Sequence, residues 1–118
     1  MKKINIVKES REFTRIMNRY TPLKNKEFIV FLERKDNLTN YRFGISVSTK
    51  IGCAVVRNRL KRQIKAIIDE KDYQKNFNCI IILRKDVINK SFEEIHSSLF
   101  DILNRLNIII GENYEAKN

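Results

Sequence analysis

The run YRFGISVSTKIGCAVVRNRLKRQIKAII, residues 41–68, changes its repeat part-way along. In the strand read over Tyr41 to Thr49, Phe43, Ile45 and Val47 are apolar, while Arg42, Gly44, Ser46 and Ser48, with Lys50 just beyond, are small or cationic. That alternation is a strand with one face in a core and the other available. After Gly52 the repeat becomes helical. At about 100° per residue Val56, Leu60, Ile64 and Ile67 fall on one side, and Asn58, Lys61, Arg62 and Lys65 on a neighbouring arc. Arg59 lies further round beyond Arg62, and Arg57 projects near the edge of the apolar stripe. Strand, turn and an amphipathic helix with a cationic outer face follow one another directly.

No Asp or Glu occurs between Asp36 and Asp69, whereas Arg42, Lys50, Arg57, Arg59, Lys61, Arg62 and Lys65 all fall there. Taking these seven from the 24 Lys and Arg leaves 17 against 14 Asp and Glu, so most of the formal net charge of +10 sits in this block. A solvated helix usually interleaves Glu with Lys for i,i+4 pairing of roughly 0.2 to 0.5 kcal/mol each. This helix forgoes every such pair, so its cations repel one another until an anion arrives. Phosphates would supply charge-assisted hydrogen bonds and release counterions, the footprint of a polyanion-binding surface. A membrane surface is the competing anion, but the helix's apolar face is Val, Leu and Ile with no Trp, which suits burial in a core better than insertion in lipid.

The remaining elements are read outward from this unit. Ser10 is an expected N-cap, and Phe13, Ile16, Met17 and Tyr20 fall on one stripe of a first helix that ends before Pro22. Residues 27–33, EFIVFLE, read as a strand expected to pair antiparallel with the strand from Tyr41, across the polar turn 35–40. Residues 79–83, CIIIL, read as a strand buried on both faces. Ser91 and Glu94 make a capping-box pattern ahead of Ile95, Leu99, Ile102, Leu103 and Leu106, with Gly111 beyond the end. Asp69, Glu70 and Asp72 read as a helix end and the loop after it.

The order α-β-β-α-β-α predicts an α/β (α+β) two-layer sandwich with a central mixed sheet and the basic helix as a crossover, right-handed by the general rule. At 118 residues with 42% hydrophobic content, one domain is expected over 1–118, with a flexible tail at 112–118. The opening MKKINIVKES lacks the apolar core of a signal peptide, no run approaches the length of a membrane span, and a reduced, cytoplasmic protein is expected.

No catalytic or metal-ligating constellation stands out. His96 is the only histidine and has no identifiable partner, and Cys53 and Cys79 are too few and too far apart for a zinc set and are expected to be inert. The small face Gly44, Ser46 and Ser48 would give a nucleotide room, and Phe13 or Phe31 would offer a stacking platform worth roughly 1 to 3 kcal/mol per base, though taken alone such rings are more often core residues. Three readings stand on these residues: an RNA-binding cofactor of a ribozyme, a ribosome-associated or general RNA-binding protein, and a stand-alone nuclease, for which the side chains are the poorest fit.

The run FGISVSTKIGCAVVRNRLKRQIKAII, Phe43 to Ile68, resembles the signature of the bacterial ribonuclease P protein component: a strand ending in S-V-S, a K-x-G-x-A-V turn and a helix with R-N-R-x-K-R. The resemblance extends in order through Phe13, the strand at Phe28 to Phe31, and the late strand and helix. It implies a sandwich like that of certain ribosomal protein domains, with a left-handed crossover in place of the general expectation. It further implies a 1:1 ribonucleoprotein with a catalytic RNA that removes the 5′ leader of precursor tRNA, with magnesium bound mainly by the RNA and the RNA doing the chemistry. Carried over by position, Arg57, Asn58, Arg59, Lys61, Arg62 and Lys65 would meet the catalytic RNA, and Phe13, Met17, Phe31, Ser46, Ser48 and Lys50 would line a cleft for the leader. Met17 stands where family members often carry an aromatic ring, and Thr49 and Cys53 replace more commonly polar or basic choices.

Overall fold

The structure is a computed structural model that describes residues 1–112, so the tail expected over 112–118 lies outside the described residues except for Glu112, which ends a strand. The elements are α1 (Ser10–Arg19), β1 (Leu23–Lys24), β2 (Phe28–Arg34), β3 (Tyr41–Ser46), α2 (Ala54–Ile68), β4 (Lys71–Tyr73), β5 (Phe77–Leu83), α3 (Phe92–Arg105) and β6 (Ile109–Glu112), with 3-10 turns at Lys3–Asn5 and Lys85–Asn89. The fold is mixed α+β, built on a four-stranded sheet in the order β1-β2-β5-β3.

That order corrects the expected β2–β3 pair. β5 inserts between them, antiparallel to β2 and parallel to β3, with Phe31 and Gly44 both opposite Ile80. The reason lies in β5 itself: six of its seven residues are buried, so only an interior position hides both its faces and both its edges. α2 is the crossover from β3 to β5, as its sequence position requires.

Alternation along the strands divides the sheet cleanly. Phe28 and Val30 of β2, Phe43 of β3, and Phe77, Cys79, Ile81 and Leu83 of β5 pack with Leu60, Ile64, Ile67 and Ile68 of α2 and Ile95, Leu99, Ile102 and Leu103 of α3. The opposite face carries a smaller cluster, Val7, Ile16, Phe31 and Ile80, under α1. The N-terminal segment runs beside β3, the Val7 N–H donating to the Phe43 carbonyl at 2.9 Å.

The helix signals are kept in part. Ser91 and Glu94 form the capping box, Ser91 Oγ accepting from the Glu94 N–H and a Glu94 carboxylate oxygen from the Ser91 N–H, both at 3.1 Å. Ser10 is not the cap of α1; it is the first helical residue, and the capping position is Glu9, whose side chain makes no capping bond. Gly111 does not terminate α3 either. Asn107 does so, at φ 58°, a left-handed position asparagine tolerates, and Gly111 lies in β6. β6 pairs antiparallel with β4, so Lys71–Tyr73, expected as loop, is a strand of a second, two-stranded sheet. Among the described residues no helix is long and apolar enough to cross a membrane.

Candidate nucleic-acid interface

α2 presents its cations as its periodicity requires. Leu60, Ile64, Ile67 and Ile68 are buried against the sheet, so the opposite arc must face solvent. Asn58, Arg59 and Arg62 are exposed there, and Arg57, Lys61 and Lys65 are half-buried along its flank. Arg57 lies nearest the apolar stripe, and its Nε is buried without a hydrogen-bond partner. Val55, 75% exposed, sits among the arginines in the first turn. Among the described residues no ion pair reaches Arg57, Arg59, Lys61, Arg62 or Lys65, although ion pairs form elsewhere, as at Arg15–Glu33 and Arg42–Glu12. The charge on this arc is therefore left uncompensated at the surface.

The second feature is the α1 face of the sheet. Register places its side chains in three rows: Glu33, Asn78 and Arg42; Phe31, Ile80 and Gly44; and Ile29, Ile82 and Ser46, with Lys24 of β1 continuing the last row. α1 covers the first two rows. The third is half-buried, with Ile29 and Ile82 at the margin of the smaller core. Phe13 crosses from α1 onto β3 so closely that a Cβ at Gly44 would lie 2.6 Å from its Cζ, so glycine is what lets the ring rest on the strand.

The site residues expected from the sequence divide accordingly. Phe13 and Ser46 are half-buried at this face, and Met17 is 40% exposed on α1. Phe31 is only 7% exposed and packs with Val7, Ile16 and Ile80 as core. Ser48 and Lys50 lie past the end of β3 in the turn to α2, where Ser48 Oγ accepts the Lys50 N–H at 3.1 Å. Sequence reasoning missed Ile29, Ile82 and Lys24, because their places depend on β5 entering between β2 and β3.

It also missed the polar row. Glu33 is 1% exposed and accepts two hydrogen bonds from Arg15 (2.5 and 2.9 Å), one from Asn78 Nδ2 (2.8 Å) and one from Tyr20 Oη (3.1 Å). Arg42 donates from Nε to Asn78 Oδ1 at 2.8 Å and pairs with Glu12 on α1. The Arg15 guanidinium, more than offsetting burial, holds the Glu33 carboxyl down to about 2. The signal was present: Glu33, Asn78 and Arg42 are polar residues at the parity of Phe31, Ile80 and Gly44.

A family model described as Ribonuclease P matches residues 1–107. The chain belongs to the ribonuclease P protein family. It is 39% identical over 109 residues to the ribonuclease P protein component of Bacillus cereus strain Q1, a match spanning 89% of this chain and 93% of that one. Among solved structures it is similar to the RNase P protein of Staphylococcus aureus (TM-score 0.80, 26% identity, 90% of this chain and 98% of that one). It is similar also to that of Thermotoga maritima (TM-score 0.75, 28% identity, 84% and 94%). The strand–turn–helix unit that carries the ribonuclease P signature is thus the unit whose helix bears the unpaired cations.

Three residues read as silent have surroundings of their own. His96 Nε2 lies 2.8 Å from Glu70 Oε1, so the histidine does have a partner, which ties α3 to the end of α2. Cys79 is buried and its thiol pushed up by desolvation, whereas Cys53 is exposed at the start of α2, where the N–H groups of Val56 and Val55 pull its thiol down.

Proposed function

We propose that this chain is the protein subunit of a ribonuclease P ribonucleoprotein, with α2 docked on the catalytic RNA and the α1–sheet cleft holding the 5′ leader of precursor tRNA. The observation that carries this reading is the uncompensated cationic face of α2, joined through one short turn to an open sheet row beside Phe13 and Met17. A single strand needs both a charged track for its backbone and apolar surface for its bases, and the two elements supply them.

Hydrolysis of the leader bond is assigned to the RNA and its magnesium, with precursor tRNA as substrate and one protein per RNA. This chain's own carboxylates at the cleft do not fit a metal site, because Glu33 and Glu12 are engaged by Arg15 and Arg42. Its residues instead bind and orient: Arg59, Arg62 and Asn58 reach phosphates, Lys61 and Lys65 flank them, and the cleft holds the leader near the turn at Ser48 and Lys50. Protein cations at the interface lower phosphate repulsion, so less magnesium is needed for the assembled RNA to act.

Reconstitution with the catalytic RNA of the same organism at low magnesium tests the assignment. Faster precursor-tRNA cleavage with protein than without it is expected, and no gain would refute it. Crosslinking in cells separates the general RNA-binding reading, for which ribosomal RNA would be the main partner.

A further inference from the structure

The buried polar row at the closed end of the cleft is a costly choice. Position 33 shares its face with Ile29 and Phe31, and an apolar side chain there would extend the small core beneath α1. Burying a carboxylate instead carries a desolvation cost that an apolar side chain would not, and four hydrogen bonds from Arg15, Asn78 and Tyr20 are used in offsetting it, so such a group is weak evidence for stability and better evidence for a specified geometry. What it specifies can be read from its partners. Glu33, Asn78 and Arg42 lie at one level across β2, β5 and β3, and Arg15, Tyr20 and Glu12, which complete the network, all belong to α1 or to the residue that ends it.

α1 needs such a device. It has ten residues, too few to be stable alone, and only Ile16 is fully buried. One buried aliphatic residue fixes the height of a helix over a sheet but leaves its rotation and slide soft. The network removes that freedom at two strands: Arg15 forks onto Glu33 of β2, and Glu12 meets Arg42 of β3. On the same turn of the helix, between Glu12 and Arg15, Phe13 is thereby set against Gly44, and Met17, one turn beyond it, is turned to solvent.

We infer that Glu33 is a positioning residue for the leader cleft, acting through Arg15 and α1 on Phe13 and Met17. This rests on the function proposed above and adds a residue outside the cleft's lining that controls leader selectivity. Because Arg15 and Glu33 meet across two elements, removing either partner frees the same helix. The effects of Glu33→Gln and of Arg15→Ala on selectivity are therefore strongly non-additive.

The test compares reconstituted holoenzymes carrying wild-type protein, Glu33→Gln, Arg15→Ala, Arg15→Lys or the double variant, well below every melting temperature. Binding of precursor tRNA with a leader of about five nucleotides is set against a single-nucleotide leader and mature tRNA. Loss of one well-placed stack should lower the long-leader preference roughly tenfold in Glu33→Gln and Arg15→Ala, with no further loss in the double variant. Arg15→Lys, which keeps the charge without the fork, should fall between. Affinity for the catalytic RNA and for mature tRNA should stay within about twofold, since α2 is untouched. The free protein supplies an independent readout: the Phe13 ring lies over Gly44, so the Gly44 α-proton shift reports the ring's place and should move toward its unstructured value in Glu33→Gln. An unchanged Gly44 signal, or an affinity lost equally for all three tRNAs so that the preference is kept, would overturn the inference. A wild-type holoenzyme with no long-leader preference would instead refute the proposed function, while the Gly44 signal would still decide whether the network places the ring.

Discussion

Adding one methyl group at Gly44 separates the packing of Phe13 from the packing of the sheet. The new Cβ would stand 2.6 Å from Phe13 Cζ, 3.1 Å from Phe13 Cε1 and 2.9 Å from Ile80 Cδ1. Carbon atoms pack best at about 3.5 to 4.0 Å, so the ring must withdraw by roughly 1 Å. Ile80 is fully buried between neighbouring strands and Phe13 only half-buried at the cleft, so the ring is the part that yields. Overpacking of this kind costs roughly 1 to 3 kcal/mol, and alanine recovers about 0.5 to 1 kcal/mol through its smaller unfolded-state entropy in a strand. A net loss near 1 kcal/mol is expected for Gly44→Ala, about 3 to 6 °C in Tm for a chain of this size. In a Phe13→Ala background the obstructing ring is gone, Ile80 can turn into the space, and Gly44→Ala should be neutral or slightly stabilising. Urea and thermal unfolding of the four proteins gives the coupling energy, expected at about 1 kcal/mol. Additivity within about 0.3 kcal/mol would show that the two groups do not touch and would refute the close approach on which the cleft's geometry depends.

Arg62→Ala should weaken binding of the catalytic RNA and lower the slope of log K against log salt by about one counterion; an unchanged slope would place Arg62 off the interface. Phe31→Ala should cost about 3 kcal/mol in urea unfolding because the ring is core, while Phe31→Leu keeps most of that stability; a Phe31→Ala protein as stable as wild type would contradict the burial. For Glu33, a carboxyl near 2 in the folded chain against an ordinary 4.5 stabilises the fold above pH 4.5, and this contribution is lost as pH falls toward 2. The full shift would be worth about 3 kcal/mol, nearer 2 because Arg15 is itself partly in water. Unfolding free energies measured from pH 5 to 2.5 should therefore fall more steeply for wild type than for Glu33→Gln, and equal slopes would refute the pairing. Lys24→Ala should weaken long-leader precursor tRNA without changing mature tRNA, and equal losses on both would place Lys24 away from the leader.

The elements whose determinants are local were legible in the sequence. α2 carries its apolar stripe and its cations on separate, neighbouring arcs within fifteen residues, and α3 announces its start through Ser91 and Glu94. β5 is apolar throughout its centre, so its burial on both faces was legible, but which strands flank it is decided by contacts far apart in sequence. Phe31 pairs with Ile80 across 49 positions and Gly44 with Ile80 across 36, and no short-range pattern encodes either. β4 is three residues long, too short for an alternation to register, and acquires its structure only from β6. The site divided on the same line. The α2 face followed from helical period alone, whereas the polar row needed the strand order before Glu33, Asn78 and Arg42 could be seen as neighbours, and Phe31 needed it before its ring could be recognised as core.

The strand order also fixes the relation between the two surfaces that the proposed function assigns to nucleic acid. β3 ends at Ser46 and α2 begins at Ala54, so only seven residues separate the floor of the cleft from the cationic helix. That link is itself tied down: Val47 and Ile51 are buried in the main core, and the Ile51 N–H bonds to the Ser48 carbonyl at 3.0 Å. β3 cannot slide because β5 lies beside it in parallel register, and α2 cannot rotate because Leu60, Ile64 and Ile67 are locked over the same strands. The cleft's other wall, α1, has no comparable apolar anchorage and depends on Glu33 and Arg42 for its place. Rigidity is therefore unequal across the interface. The helix that would meet the catalytic RNA is fixed by burial, which salt and mild acid leave intact, while the wall that would meet the leader is fixed by charge, so changes in α1 or its ion pairs should alter leader selectivity well before they alter assembly.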